Sequence, residues 1–408
     1  MSNSASDNVD VLVIGAGVAG ATAALAAARA AGSRRVMLVE RAAWPRDKVC
    51  GCCLGGRGVA ALESAGVKRG ELLARGLVLE SAEVRCGGQA VKLPLASGDG
   101  GAVVIGRVEL DGLLVDAAVT AGVEFVPACS ARVGAREAGG AWMVTLVDGA
   151  GTRLVRAAVV IAADGLSGHA LDDVAGMDVR IARASRMGIG AHASWGRVRA
   201  INSGEANGQA GADALPIGKV ILCTGRGGYA GLVRLRDGTV DVAAALDPAV
   251  VKAAGGPVPV LAEILRGAGL AVDGPWPERF GGTGLLTRRR SCIASPGLLV
   301  VGDAAGYVEP FTGEGMTWAA CGGRAAGVMA ATLSPEDAGA AWARWHGQNV
   351  RARQRVCRVI AGGLRLPGCV SVVAWLIGRS TAARGLARAV AVRVSGRGQK
   401  IVSQGELA

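Results

Sequence analysis

The hydrophobic pattern opens with a continuous apolar run, Val9 to Ile14, which suits a strand buried on both faces. Glycines at 15, 17 and 20 interrupt it, and the alanine-rich stretch Val18 to Ala31 reads as a helix. The whole run from Val9 to Ala31 is apolar enough to mimic a membrane span, but those glycines make a strand–turn–helix the better account. Arg35 to Val39 reads as a second strand. Val103 to Ile105 is a further strand, followed by a helix through Ala121, and Ala158 to Ala163 is another strand. Leu298 to Val301 is a short buried strand that leads through a glycine-rich segment into an apolar helix. Between these lie alternating runs that suit antiparallel strands: Leu77–Val84 with Ala90–Leu93 as a hairpin across Gly87-Gly88, then Lys219–Cys223, Tyr229–Leu235 and Thr239–Ala245. Val250 to Ala268 reads as a helix.

Three motifs punctuate this pattern. The first is Gly15-Ala16-Gly17-Val18-Ala19-Gly20 with Glu40, placed between strand and helix as a dinucleotide fingerprint requires. Gly15 permits the tight turn, Gly17 lets the backbone approach a pyrophosphate, and Gly20 lets helix and sheet pack closely. Glu40, at the end of the second strand, suits an unphosphorylated ribose, hence FAD or NAD; Arg41 beside it joins the cofactor-binding set. The second motif is Asp164-Gly165, at a strand end. The third is Gly302-Asp303-Ala304-Ala305-Gly306, continuing through Glu309, Pro310, Gly313 and Gly315 to Met316. Asp303 can accept hydrogen bonds from a ribityl chain. The free N–H groups of the helix that opens after Gly313 can face the negative side of a reduced flavin. FAD, held noncovalently, is therefore the expected cofactor. Arg107, at a strand end on the cofactor side, either contacts the flavin or its phosphates or makes a surface salt bridge.

As a set, the motifs resemble those of the FAD-dependent enzymes that include para-hydroxybenzoate hydroxylase, the flavin halogenases and the geranylgeranyl reductases. The likeness covers roughly residues 9 to 330. Two features are similar to the geranylgeranyl reductases in particular: Pro45-Arg46-Asp47-Lys48-Val49-Cys50-Gly51, and Gly306 where the hydroxylases carry histidine. The resemblance implies catalytic roles for Cys50, Lys48 and Tyr229. There are departures. The reductases' Tyr-x-Trp-x-Phe-Pro pattern keeps only Tyr229, His169 stands where many relatives have arginine, and the halogenases' Trp-x-Trp-x-Ile-Pro signature is absent.

The implied fold is α/β: an FAD-binding Rossmann-type domain with an inserted antiparallel-sheet substrate domain and a helical C-terminal tail. Residues 1–75, 102–178 and 282–345 make the discontinuous FAD-binding domain, 76–101 and 179–281 the substrate domain, and 346–408 a basic helical C-terminal region. With 51% apolar residues, the 408-residue chain can bury a large core. Its 65 glycines follow no collagen period.

Charge is unevenly placed. From Arg344 to Ala408 there are eleven arginines and Lys400 against Glu406, so this tail carries +11 of the formal +12. Arg344, Arg351, Arg355 and Arg358 follow helical spacing, and the apolar stretch Leu366–Gly378 is too short to span a bilayer. The tail suits either peripheral contact with an anionic membrane or a solvated arginine-rich face; it lacks a nucleic-acid-binding module. The polar start carries no secretory pattern, so a cytoplasmic setting, at most at the inner face of a membrane, is expected, with free thiols among the ten cysteines. Cys50-Gly51-Cys52-Cys53 has no second Cys or His pair at zinc spacing, so no metal is expected.

No second dinucleotide fingerprint occurs, since Gly322–Gly327 falls inside an apolar helix. Electrons would come from NAD(P)H docked transiently or from an electron-transfer protein. Two activities fit: reduction of carbon–carbon double bonds in a hydrophobic isoprenoid or polyketide-type lipid, or aromatic hydroxylation. Reduction needs a proton donor opposite the hydride, and Cys50, ten residues beyond Glu40, lies within the ~33–36 Å reach of the extended chain. The scarcity of Tyr and His in the substrate insert favours the reductase.

Overall fold

The computed structural model describes residues 7–30, 34–94, 101–201, 213–309, 311, 313–363 and 365. Its larger sheet runs, in spatial order, Ala294–Ser295, Leu298–Val300, Gly151–Ala162, Asp7–Ile14, Val36–Val39 and Glu124–Val126, with the antiparallel pair Trp142–Asp148 and Ser130–Arg136 added beside Gly151–Ala162. Asp7–Ile14 lies parallel to both of its neighbours. Val11 and Val13 pack on one face against helices, while Leu12 and Ile14 pack on the other against Val144, Leu146 and Met37. Burial on both faces explains the unbroken apolar run. The chain has the α/β flavoprotein fold that its motifs imply.

Helix Val18–Ala30 is sandwiched between this sheet and the long helix Gly315–Thr332. Side chains at Gly323 and Gly327 would begin 2.2 Å from the carbonyl oxygens of Ala19 and Ala23. The Gly322–Gly327 string is thus a packing surface between two backbones, as its place inside a helix requires.

A seven-stranded sheet runs Gly281–Leu285, Met187–Ala193, Val240–Leu246, Gly228–Arg234, Lys219–Gly225, Ser81–Cys86 and Gln89–Pro94. Its neighbours are antiparallel except Lys219–Gly225 beside Ser81–Cys86. The hairpin over Gly87-Gly88 forms as expected, with both glycines at positive φ. The segment Leu77–Val84, however, is two strands. Leu77–Leu79 pairs with Ala102–Val104, which in turn pairs with Cys53–Leu54, and only Ser81–Cys86 joins the large sheet. Val103 and its neighbours therefore lie outside the parallel sheet.

The helix expected over Val250–Ala268 is also two pieces, Pro248–Ala253 and Pro257–Gly267. Gly255 and Gly256 adopt φ of 75° and 147°, and Pro257 then starts the second helix at a position where its missing N–H is harmless. At the other end, Pro335–His346 runs through a π-helical turn, Gly347–Arg351, into Ala352–Gly363. The wider turn displaces the arginine series from simple helical spacing, and Arg353 is buried while Arg355 and Arg358 are not. Most of the expected basic tail, including Leu366–Gly378, lies outside the described residues. Among the described residues, no helix is long and apolar enough to cross a membrane.

Two outcomes follow from this packing. Gly323→Val should destabilise the protein by ~1–3 kcal/mol, because a side chain there meets backbone rather than a movable group; unchanged thermal unfolding would contradict the close helix contact. His346, packed beside Trp342, has its pKa pulled from 6.5 to about 4 by burial and by Arg351. The unfolded chain gains this proton before the folded one does. Stability should therefore fall as pH drops from 6.5 toward 4, by up to ~1.4 kcal/mol per unit from this group. Chemical denaturation at several pH values should show a shallower slope in His346→Gln.

Candidate active site

The fingerprint glycines meet the constraints that their positions demand. Gly15 has φ of 101°, and its N–H donates to the Val39 carbonyl at 2.7 Å. A side chain at Gly15 would begin 2.6 Å from the Ala163 oxygen, and one at Gly20 only 1.8 Å from the Gly15 oxygen. Gly17 differs: what stands over it is two guanidinium groups, Arg107 at 3.5 Å and Arg46 at 3.6 Å from where a side chain would start. The turn is closed on the protein side and cationic on the other, as a pyrophosphate site requires.

Glu40 is 8% exposed and holds this turn from behind. One carboxylate oxygen accepts the N–H of Ala16 at 3.0 Å and Arg46 at 3.1 Å; the other accepts the N–H of Ala42 at 3.0 Å. Burial raises its pKa, but Arg46 and the two amides outweigh that and hold it below the ordinary value. Arg46 also reaches Asp111 at 2.9 Å, and Asp111 accepts from Arg107 at 2.6 Å. Arg107 opens helix Arg107–Thr120 and is buried in this network, so a surface salt bridge does not describe it. Burial opposes its charge, and Asp111 more than restores it.

Asp164 bonds within its own loop, accepting the Ala170 N–H at 2.9 Å, while its other oxygen is buried without a partner among the described residues. Burial raises its pKa, partly offset by charges that include exposed Arg41. The Lys48 ammonium would lie 3.0 Å from a side chain at Gly165 and is 4.0 Å from Asp303. Burial lowers the Lys48 pKa against the pull of Asp303. Asp303 itself lies in a 3-10 turn, Gly302–Ala305, that Gly302 opens at φ of 60°. Gly313 turns at φ of 72°, Gly315 begins the long helix, and Met316 is buried in the core behind it. Pro310 lies outside the described residues.

Tyr307 is within electrostatic reach of Asp303, Tyr229 and Cys50 together. Tyr229 is buried edge-on to Phe311 at 5.1 Å, with the Arg186 guanidinium 5.6 Å from its ring centre, and packs with Leu286, Leu166 and Tyr307. Neighbouring Cys52 draws the Cys50 thiol below its ordinary pKa against the opposing burial, with help from Arg107. Burial pushes Cys53 upward. His169 is exposed, and its ring pairs with Asp172 at 2.9 Å.

Sequence reasoning did not single out Arg46, Asp111 or Tyr307. Arg46 and Tyr307 stand inside segments it had marked, so position relative to Glu40 and Asp303 was the available signal. Asp111, four residues after Arg107 on a helix, could have been found from that i,i+4 spacing.

The glycine cradle, the paired guanidiniums above Gly17 and the carboxylate of Asp303 fit an FAD, while Glu40 braces the turn from behind. Comparisons with known proteins agree. Residues 8–192 match a family model described as an FAD binding domain. The chain is 29% identical over 411 aligned residues to the menaquinone reductase of Mycolicibacterium smegmatis, covering 95% of this chain and 91% of that one. Among solved structures it is similar to a flavoprotein/dehydrogenase from Cytophaga hutchinsonii, with TM-score 0.72, 18% identity and coverage of 94% and 92%. It is also similar to PqsL of P. aeruginosa, with TM-score 0.66, 20% identity and coverage of 88% and 97%. The chain carries an FAD-binding domain and is an FAD-dependent oxidoreductase.

The purified protein should be yellow, and acid should release the colour as FAD by mass spectrometry. Asp303→Ala should weaken FAD binding ~10–100-fold, the worth of losing a charged hydrogen-bond partner. Undiminished FAD occupancy in that variant under dilution would remove Asp303 from the site.

Proposed function

We propose that the enzyme reduces carbon–carbon double bonds in a long apolar isoprenoid substrate, of the prenyl-quinone kind. The observation that carries this is the position of Cys50. Its thiol is within electrostatic reach of Tyr307, which is likewise within reach of Tyr229 and of Asp303, the partner of Lys48 at 4.0 Å. Bound FAD supplies hydride chemistry. The chain supplies a proton source, Cys50, and a wall of Tyr229, Phe311, Leu286 and Leu166 against which an apolar chain can lie. Lys48 lies between Gly165 and Asp303. The menaquinone reductase relative, aligned along nearly the whole chain, supports the substrate class. The likeness of Lys48-Val49-Cys50-Gly51 and Gly306 to the geranylgeranyl reductases supports the reaction.

The test is anaerobic incubation of dithionite-reduced enzyme with menaquinone and a panel of prenyl lipids. Products should be heavier by two hydrogens per bond reduced. Cys50→Ser should keep its flavin and lose ~10²–10⁴-fold in rate, the usual worth of a positioned acid, while Cys53→Ser should lose little. Aerobic NAD(P)H turnover that adds one oxygen to a phenol, with Cys50→Ser fully active, would replace this reading with hydroxylation.

A further inference from the structure

On the side of the substrate sheet that meets the Cys50 loop, three donor groups of different chemistry converge. His192 and Asp241 are direct cross-strand partners in the pairing of Met187–Ala193 with Val240–Leu246, so both side chains leave the same face. The His192 Nε2 lies 3.4 Å from the Asp241 Oδ1. Cys52 comes from a different part of the chain. It adopts φ of 50°, unusual for a residue with a side chain, and is fixed there by the Ile105 N–H, which donates to its carbonyl at 2.9 Å. The Cys52 sulfur, an imidazole nitrogen and a carboxylate oxygen all lie within 4.8 Å of one another.

A second observation points the same way. Asp241 is only 3% exposed, yet its Oδ2 has no hydrogen-bond partner among the described residues. A buried carboxylate oxygen left unmatched is costly, and buried charges are normally paired or bound to a cation. His192, with 37% of its side chain exposed, leaves the cluster open to solvent on one side.

We infer that Cys52, His192 and Asp241 bind one divalent cation of borderline softness, with zinc as the best match. One thiolate, one imidazole and one carboxylate form a zinc-type donor set, whereas magnesium and calcium favour all-oxygen sites. Three protein donors leave a fourth position for water. No bond in a substrate is made or broken by this ion. Its effect is mechanical: it fastens residues 50–53 to the floor of the substrate sheet, two residues from Cys50. The site departs from the expectation that the cysteine cluster holds no metal, and it stands whether or not the proposed reaction is correct.

The experiment is zinc titration of the FAD-loaded enzyme against a chromophoric chelator, with metal content read by plasma mass spectrometry. One zinc per chain is expected. His192→Gln and Asp241→Asn should each weaken zinc binding at least ~10-fold, while Cys50→Ser should retain it. Cobalt in place of zinc should give thiolate-to-metal charge transfer, and d–d bands to the red of the flavin, both lost in Cys52→Ser. The flavin spectrum reports whether each variant is folded. If Cys52→Ser sheds its FAD, exposed His192→Gln still decides the matter. Binding below one zinc per chain, or equal affinity in wild type and His192→Gln, would overturn the site.

Discussion

A buried chain of four alternating charges, Glu40–Arg46–Asp111–Arg107, governs the geometry of everything around it. Each member sits where water can screen it little, so removing any one leaves a charge whose desolvation is uncompensated. The loop after the second strand therefore has one acceptable path, the one that inserts Arg46 between two carboxylates. That path lays residues 46–53 across the mouth of the glycine turn. It brings Lys48 to Asp303, Cys50 under the influence of Arg107, and Cys52 beside His192 and Asp241 of the antiparallel sheet. The network also leaves two guanidiniums over Gly17 with their charge already balanced. An incoming pyrophosphate meets donors that are fixed beforehand and need not be reoriented.

The two sheets divide the work of this arrangement. The parallel sheet and its two glycine-contacting helices provide a stiff platform, where closest approach between Val18–Ala30 and Gly315–Thr332 is set by backbone rather than side chains. The antiparallel sheet carries an apolar core on one face, with Val260, Leu261 and Ile264 from helix Pro257–Gly267 packed on it. Its other face meets the Cys50 loop: a side chain at Gly190 would begin 3.0 Å from Val49, and one at Gly51 would begin 3.8 Å from Ala243. Small residues on these strands let the loop that carries Cys50 lie close against the sheet.

What could be read from sequence was what is local. The fingerprint, Glu40 and Asp303 each belong to a strand–turn–helix whose residues are adjacent in the chain, so spacing alone carried their geometry. The break at Gly255-Gly256 was hidden because apolar residues continue on either side of it at helical intervals. The division of Leu77–Val84 was hidden because both halves are extended, and only pairing partners remote in sequence separate them. The meeting of Cys52 with His192 and Asp241 left no trace in spacing at all. It depends on cross-strand register and on a loop path set by Arg46, and neither is encoded within a short window.

The position of the strand Asp7–Ile14 has a consequence for how the chain is made. Of the described strands this one is synthesised first but lies inside the sheet, and Leu298–Val300 joins the same sheet nearly three hundred residues later. The hairpin Ser81–Pro94 likewise waits for Lys219–Gly225. Until those later strands are made both sheets are partial, with strand edges that have no neighbour and apolar faces that have no cover. Such nascent pieces are sticky, and long-range pairings of this kind close slowly. The last contributor to the cofactor cradle, the start of Gly315–Thr332, emerges after both sheets can be complete. A cradle that needs this helix start is therefore complete only after the strands of both sheets have been made.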